Sequence, residues 1–246
     1  MRARATHTLR VAILAGGRGA RFGEATRTDP KPMMTIGNRP LLWHIMMHYA
    51  SYGFRDFVIA LGHGGERIRD HFAGGDKREL DPEIHVELID TGLDVGTAGR
   101  VKRLGPVLGS QTFMLTWGDG LSDVDLDALL RFHRSHGRLA TITAVRPPPR
   151  FGHLELEGDR VLSFEEKPPD RQSWINGAFF VLEPGVLERI SDDSESCERD
   201  TLPALAREGE LMAYRHHSFW ACMDTPRDRE ELERIWAGGS PPWKTW

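Results

Sequence analysis

Val11 to Gly23 reads VAILAGGRGARFG, and Lys31 follows eight positions later in DPKPM. An apolar run of strand character opens onto four glycines interleaved with two arginines, Arg18 and Arg21. Glycine lets a backbone pass close to an anion, and guanidinium groups neutralise the anion's charge. In an open α/β sheet, such a turn after a strand places a ligand outside the carboxyl ends of the strands. The segment therefore argues for an α/β fold and a polyphosphate ligand, against the plainer alternative of a tight strand-to-helix turn.

Two other phosphate motifs do not fit. Walker A requires GxxxxGK[ST], and no Lys-Ser or Lys-Thr pair follows these glycines. In the dinucleotide fingerprint GxGxxG, the partner of Gly17 and Gly19 would fall one residue before Gly23, and no acidic residue ends a second strand about 20 residues on.

Composition narrows the partners. The 246 residues are 39% hydrophobic and 28% charged, as in an ordinary soluble globular protein long enough for one large α/β core or two small domains, of which a single core is expected. A net charge of −4 lacks the cationic excess that sequence-independent nucleic-acid or membrane binding needs, so an anion has to be held locally. Cys197 and Cys222 are too few for a disulfide scaffold or a thiolate metal site, and they suit a reducing compartment. The basic start MRARATHTLR has no apolar signal-peptide core, and no apolar run reaches the ~20 residues of a membrane span. A cytoplasmic protein without nucleic-acid or membrane partners is expected.

The first half alternates strand-like and helix-like segments, as in βαβ units. Strands are expected over 9–15, 57–61, 84–89 and 112–117. Helices are expected from Pro40 to a stop at Gly53, over 66–72 and over 98–104. Asp123 or Asp125 caps a further helix carrying Leu126, Leu129 and Leu130, followed by a strand over 139–145. After the prolines at 147–149, segments 151–157 and 160–166 read as a hairpin turning at Gly158, inserted into or extending the same sheet. A strand over 177–182 and an amphipathic helix over 225–236 complete a single unit spanning 1–246. Trp220, Trp236, Trp243 and Trp246 suit either a subunit interface, in a homo-oligomer, or core packing.

Several side chains project from strand ends. Asp119, in WGDG, follows an apolar strand and reads as a turn former or a metal carboxylate. Asp224, in FWACMDT, reads as a helix N-cap or a second metal carboxylate. Two carboxylates beside a triphosphate suit Mg²⁺, which takes one or two protein oxygens together with phosphates and water. Lys167, in FEEKPPD, is either a solvent-facing lysine or a cation at a strand end, and Asn176 opens a strand with a side chain suited to sugar hydroxyls. The eleven histidines show no HExxH or His/Cys cluster, His216 and His217 point to opposite faces of an extended segment, and no GxSxG is present.

Taken in order, LAGGRGARF, PKPM, GDG, FEEKP, NGAFF and MDT resemble the sugar-phosphate nucleotidyltransferases over nearly the whole chain. IGNRPLLWHIM, WGDGLSDVD, RPPPRFG and PPWKTW are most similar to the cytidylyltransferase branch. The resemblance implies a three-layer Rossmann-like fold with a central mixed, mostly parallel sheet. It implies a sugar-binding part at about 147–224 and transfer of a nucleotidyl group, with CTP and glucose 1-phosphate favoured over UTP, dTTP or another phosphorylated alcohol. A non-catalytic regulatory subunit is the alternative of a different class.

The same resemblance implies a nucleotide loop formed by Leu14, Ala15, Gly16, Gly17, Arg18, Gly19, Ala20 and Arg21, joined by Val95, Arg100 and Gly118. It places Arg21 and Lys31 on the phosphates, Lys167 on the sugar phosphate, Glu166 and Asn176 on the hexose, and Asp119 and Asp224 on Mg²⁺. This chain departs from the family pattern in a shorter segment between Phe72 and Asp90, in Val95 for a polar residue, in Trp117 for a tyrosine and in Ala178 for a glycine.

Overall fold

The computed structural model describes residues 7–19, 22, 29–73, 82–147, 152–166 and 173–246. Strand β1 (His7–Leu14) leads past the short pair β2 (Thr35–Ile36) and β3 (Arg39–Pro40) into helix α1 (Leu41–Ser51) and strand β4 (Phe54–Leu61). Helix α2 (Gly65–Ala73), strand β5 (His85–Asp90), helix α3 (Thr97–Leu108) and strand β6 (Phe113–Trp117) follow. Then come β7 (Gly120–Ser122), α4 (Leu126–His136), β8 (Ala140–Val145), and the hairpin β9 (His153–Glu157) and β10 (Arg160–Glu165). The chain ends with β11 (Ile175–Leu182), α5 (Leu202–Arg207), β12 (Leu211–Arg215), β13 (Trp220–Cys222) and α6 (Pro226–Ala237).

Seven strands form one sheet in the order β12-β8-β11-β6-β1-β4-β5. β1 runs parallel to both β4 and β6, β4 parallel to β5, and β12 parallel to β8. Only β11 runs against its neighbours, β6 and β8. The expected mixed, mostly parallel sheet is thus present. Alternation along β1 explains the three layers: Val11 and Ile13 join a core with α1, α2, α4 and α6, while Ala12 and Leu14 join a second core with α3 and α5. Strand order reverses between β1 and β6, so the crevice of a doubly wound sheet opens at their carboxyl ends.

Several local expectations need correction. The helix expected over 98–104 continues through Pro106 to Leu108. Of the two candidate caps for α4, Asp125 takes the role, accepting from Ala128 N at 2.8 Å. Asp123 instead faces His216 Nε2 at 3.0 Å. The β9–β10 hairpin does not extend the main sheet but is a separate two-stranded ribbon. β12 at the sheet edge, and the small pairs β2–β3 and β7–β13, are additions the sequence pattern did not announce. No helix among the described residues is long and apolar enough to cross a membrane.

The C-terminal tryptophans pack onto their own chain. Trp243 is fully buried, and its indole N–H donates to His44 Nδ1 at 3.4 Å. The other ring nitrogen of His44 lies 3.0 Å from the Ile36 carbonyl. A neutral imidazole satisfies both contacts, and burial pulls the His44 pKa down to about 4. Both folded and unfolded chains hold His44 neutral above pH 6.5. Below it the unfolded chain takes up the proton first, so stability falls as the pH is lowered toward about 4. At pH 5 this amounts to about 2 kcal/mol. Urea unfolding at pH 7 and pH 5 should show that loss, and His44→Gln should remove most of the difference.

Ala178 has φ 60°, the only positive φ at a non-glycine among the described residues. It sits where the β11–β8 register shifts, between Asn176 and Phe180, and its N–H donates to Asn176 Oδ1 at 2.7 Å. A Cβ in this region costs about 1–2 kcal/mol. Glycine returns about 0.5–1 kcal/mol of that through its freer unfolded chain. Ala178→Gly should therefore raise the unfolding free energy by about 0.5–1 kcal/mol, read from the urea midpoint.

Candidate active site

The crevice is built where the ends of β1 and β6 meet. Gly118 N donates to the Leu14 carbonyl at 3.0 Å, joining the glycine turn to the WGDG turn. A Cβ at Gly118 would sit 3.0 Å from both that carbonyl and Pro32 Cγ, so a side chain here would press on the close approach that glycine leaves open. Beyond this knot the chain leaves Asp119 facing the crevice.

The β7–β13 pair brings in the second aspartate, 105 positions away. Gly120 pairs with Cys222, and Met223 N donates to the Asp119 carbonyl at 2.8 Å. This register carries Asp224 alongside Asp119. The capping alternative for Asp224 is not realised, because Thr225 caps α6 in a reciprocal box with Asp228. The Asp224 carboxylate is therefore available to the crevice.

Lys31 lies between the two carboxylates, with Nζ 3.1 Å from Asp119 Oδ2 and 2.7 Å from Asp224 Oδ1. A turn of 3₁₀ helix, Lys31–Met33, holds it there, and its side chain is only 12% exposed. Burial works against its charge, but the facing Asp119 and Asp224 outweigh burial and hold its pKa above the ordinary lysine value. Lys31 is thus a fixed positive charge at the focus of the site.

Asp119, Cys222 and Asp224 bring one ligand atom each within 4.8 Å of one another. Burial pushes the Cys222 thiol up, which keeps it protonated and leaves the two carboxylates as the anionic donors. Hard oxygen donors that converge closely enough to share a single ammonium fit a small divalent cation such as Mg²⁺.

Two compartments flank this focus. The first, about 580 Å³, is lined by Leu14 to Gly19, Val95, Arg100, Gly118 and their neighbours. The second, about 570 Å³, includes Asn176, Ala178, Glu198, Trp220 and Asp224. Gly19, Lys31, Trp117 and Asp119 belong to both. The expected nucleotide residues Leu14, Ala15, Gly16, Gly17, Arg18, Gly19, Val95, Arg100 and Gly118 are thereby brought together in the first compartment, and the expected hexose contact Asn176 lies in the second.

Other expected residues stand differently. Ala20, Arg21 and Lys167 lie outside the described residues. Glu166 lies one residue past the hairpin, exposed, with a carboxylate oxygen 3.1 Å from where a Cβ on Gly152 would lie, and is not among the residues lining the second compartment. Arg100 lines the first compartment, but its guanidinium donates to the carbonyls of Leu61, Gly92 and Leu93 and to Thr91 Oγ1. It holds the 91–93 loop from beneath, and a Cβ on Gly16 or Gly62 would collide with it. Arg18 pairs with Asp94 at the rim of the same compartment.

Glu198, which the sequence does not single out, lines the second compartment from a single π-helical turn, Cys197–Thr201. No motif marks it. The GxG spacing around Asp119 and the Thr-x-x-Asp box after Asp224 were the readable signals at the focus itself.

The chain is 43% identical to the glucose-1-phosphate cytidylyltransferase of Salmonella typhi, over 97% of this chain and 100% of that one. It is 34% identical to the mannose-1-phosphate guanylyltransferase of Mycobacterium tuberculosis, over 91% of this chain and 63% of that one. In fold it is similar to the crystal structure of HddC from Yersinia pseudotuberculosis, with a TM-score of 0.73 at 24% identity over 93% of this chain and 99% of that one. Residues 10–231 match the nucleotidyl transferase family, and the chain belongs to it.

Proposed function

We propose that the chain transfers the cytidylyl group of CTP to the phosphate of α-D-glucose 1-phosphate, giving CDP-glucose and pyrophosphate. The observation that carries this reading is the shared wall: two compartments of similar volume meet at Lys31 and Asp119. A nucleotide in one and a sugar phosphate in the other would present their phosphates to each other at that wall. The identity of the substrates rests on likeness to the Salmonella enzyme along its full length.

In the proposed reaction an oxygen of the sugar phosphate attacks the α-phosphorus of CTP, a P–O bond forms, and the bond to pyrophosphate breaks. A phosphate monoester is already ionised near neutrality, so the nucleophile needs no general base. Catalysis is then alignment and charge compensation. Lys31 offsets negative charge where the phosphates converge, and the glycine turn admits the triphosphate to the backbone N–H groups. Arg21 and Lys167 are assigned to the triphosphate and the sugar phosphate, and Glu166 and Asn176 to the hexose. Asp119 and Asp224 would hold Mg²⁺, which supplies Lewis-acid polarisation of the reacting phosphoryl group. Two cysteines present as free thiols suit the cytoplasm as the place of action.

The test is pyrophosphate release from CTP, UTP, dTTP and GTP, each paired with glucose 1-phosphate, mannose 1-phosphate and a phosphorylated alditol. The largest kcat/KM is expected for CTP with glucose 1-phosphate. A larger value for another pair overturns the substrate assignment, and no release from any pair overturns the enzymatic reading in favour of a binding subunit.

A further inference from the structure

Among the described residues, Trp117 is the only large side chain besides Lys31 that the two compartments share, and its ring is held from two sides. One face stacks on Phe180, with centroids 4.7 Å apart. The indole N–H donates to Glu198 Oε1 at 2.9 Å. The other oxygen of Glu198 accepts from Thr97 Oγ1 and Ser196 Oγ, both at 2.7 Å. Burial alone would raise the Glu198 pKa, but the hydrogen bonds from Ser196, Thr97 and Trp117 outweigh it, and the group stays an anion.

The three donors come from different parts of the molecule. Thr97 begins α3 and lines only the nucleotide compartment, whereas Glu198 lines only the sugar-phosphate compartment. Their contact is tight for a backbone reason. Gly96 N donates to the Asp193 carbonyl at 2.7 Å, and a Cβ on Gly96 or Gly99 would fall within 2.3 Å of a carbonyl in the 193–195 segment. Thr97 Oγ1 also accepts from Cys197 N at 2.8 Å, which directs its own proton toward Glu198. A π-helical turn, a feature found frequently at functional sites, presents the carboxylate.

We infer that Glu198 is a positioning residue that fixes the Trp117 indole as the common wall of both compartments, so that the two substrates are aligned through one hydrogen-bonded strut running from Thr97 to Glu198 to Trp117. The inference rests on the two-substrate reading above. It adds that a change on the nucleotide side is felt by the sugar phosphate.

The test is kinetic and uses the pair of substrates that the panel identifies, so a shift away from CTP overturns the substrate assignment without deciding this one. E198Q keeps the size of the side chain but sets an amide among three donors, and W117F keeps the ring but removes the N–H. Each should lower kcat/KM for the sugar phosphate by about tenfold. The double variant should be no worse than the poorer single one, because the indole contact that W117F removes is one that E198Q already disturbs. T97V provides an arm that does not depend on the folding of E198Q. It alters a side chain outside the sugar-phosphate compartment, yet should raise the KM for the sugar phosphate as well as for the nucleotide. Additive losses in E198Q and W117F, or a T97V effect confined to the nucleotide KM, overturn the inference.

Discussion

Asp119→Asn should reduce turnover by about 10³-fold while leaving the fold nearly as stable as before. The carboxylate stands at the end of β6 with its side chain 24% exposed, and it fills no part of either core. Its backbone carbonyl also accepts from Met223 N. Asparagine keeps that backbone bond and can still accept from Lys31 through its amide oxygen. What it loses is the negative charge at the point where the two compartments meet.

Asp224→Asn should behave alike, and the double variant should lose little more than either single one. Two carboxylates that share one cation act as a unit, and units of this kind are not additive. Steady-state pyrophosphate release gives the rates, and a thermal melt followed by circular dichroism gives the stability. Activity within about threefold of the unaltered protein in either single variant would remove that residue from the metal site. Fully multiplicative losses would mean that the two aspartates do separate work.

The parts of this site that lie on one regular element were legible in the sequence. β1 and its glycine turn show as an apolar run followed by residues that tolerate close backbone approach, and β6 with Asp119 repeats the pattern. The structure places both at the strand-order reversal, where such a sheet opens. The convergence of Asp119 and Asp224 was an inference from ligand chemistry. The device that produces it, the β7–β13 pair, has three residues in each strand and no periodicity to read.

Other features were hidden for different reasons. Arg100 is a cation in a glycine-bearing helix, and nothing in TAGRVKR announces that its guanidinium is taken up by backbone carbonyls. Glu198 gains its meaning from Trp117 and Thr97, 81 and 101 positions away, which only the folded chain brings near. One ambiguity was decidable from the sequence: Thr225 and Asp228 form a capping pair, which leaves Asp224 free of that duty.

Lys31→Met should have the second large effect, and two signs distinguish it from simple damage. Turnover should fall by about 10²- to 10⁴-fold, because the charge that faces the converging phosphates is gone. Stability in chelator should fall by about 3 kcal/mol, since Asp119 and Asp224 are left facing each other in a part-buried site without their shared ammonium. Methionine fills nearly the same space, so the loss is electrostatic and not a cavity effect. Added Mg²⁺ should then raise the melting temperature of the variant more than that of the unaltered protein, because the ion no longer competes with an ammonium held 2.7 Å from Asp224. Melting curves across a magnesium titration measure this directly. An equal Mg²⁺ shift in both proteins would show that the ion does not share the ground that Lys31 occupies, and the two aspartates would then be the partners of a structural lysine.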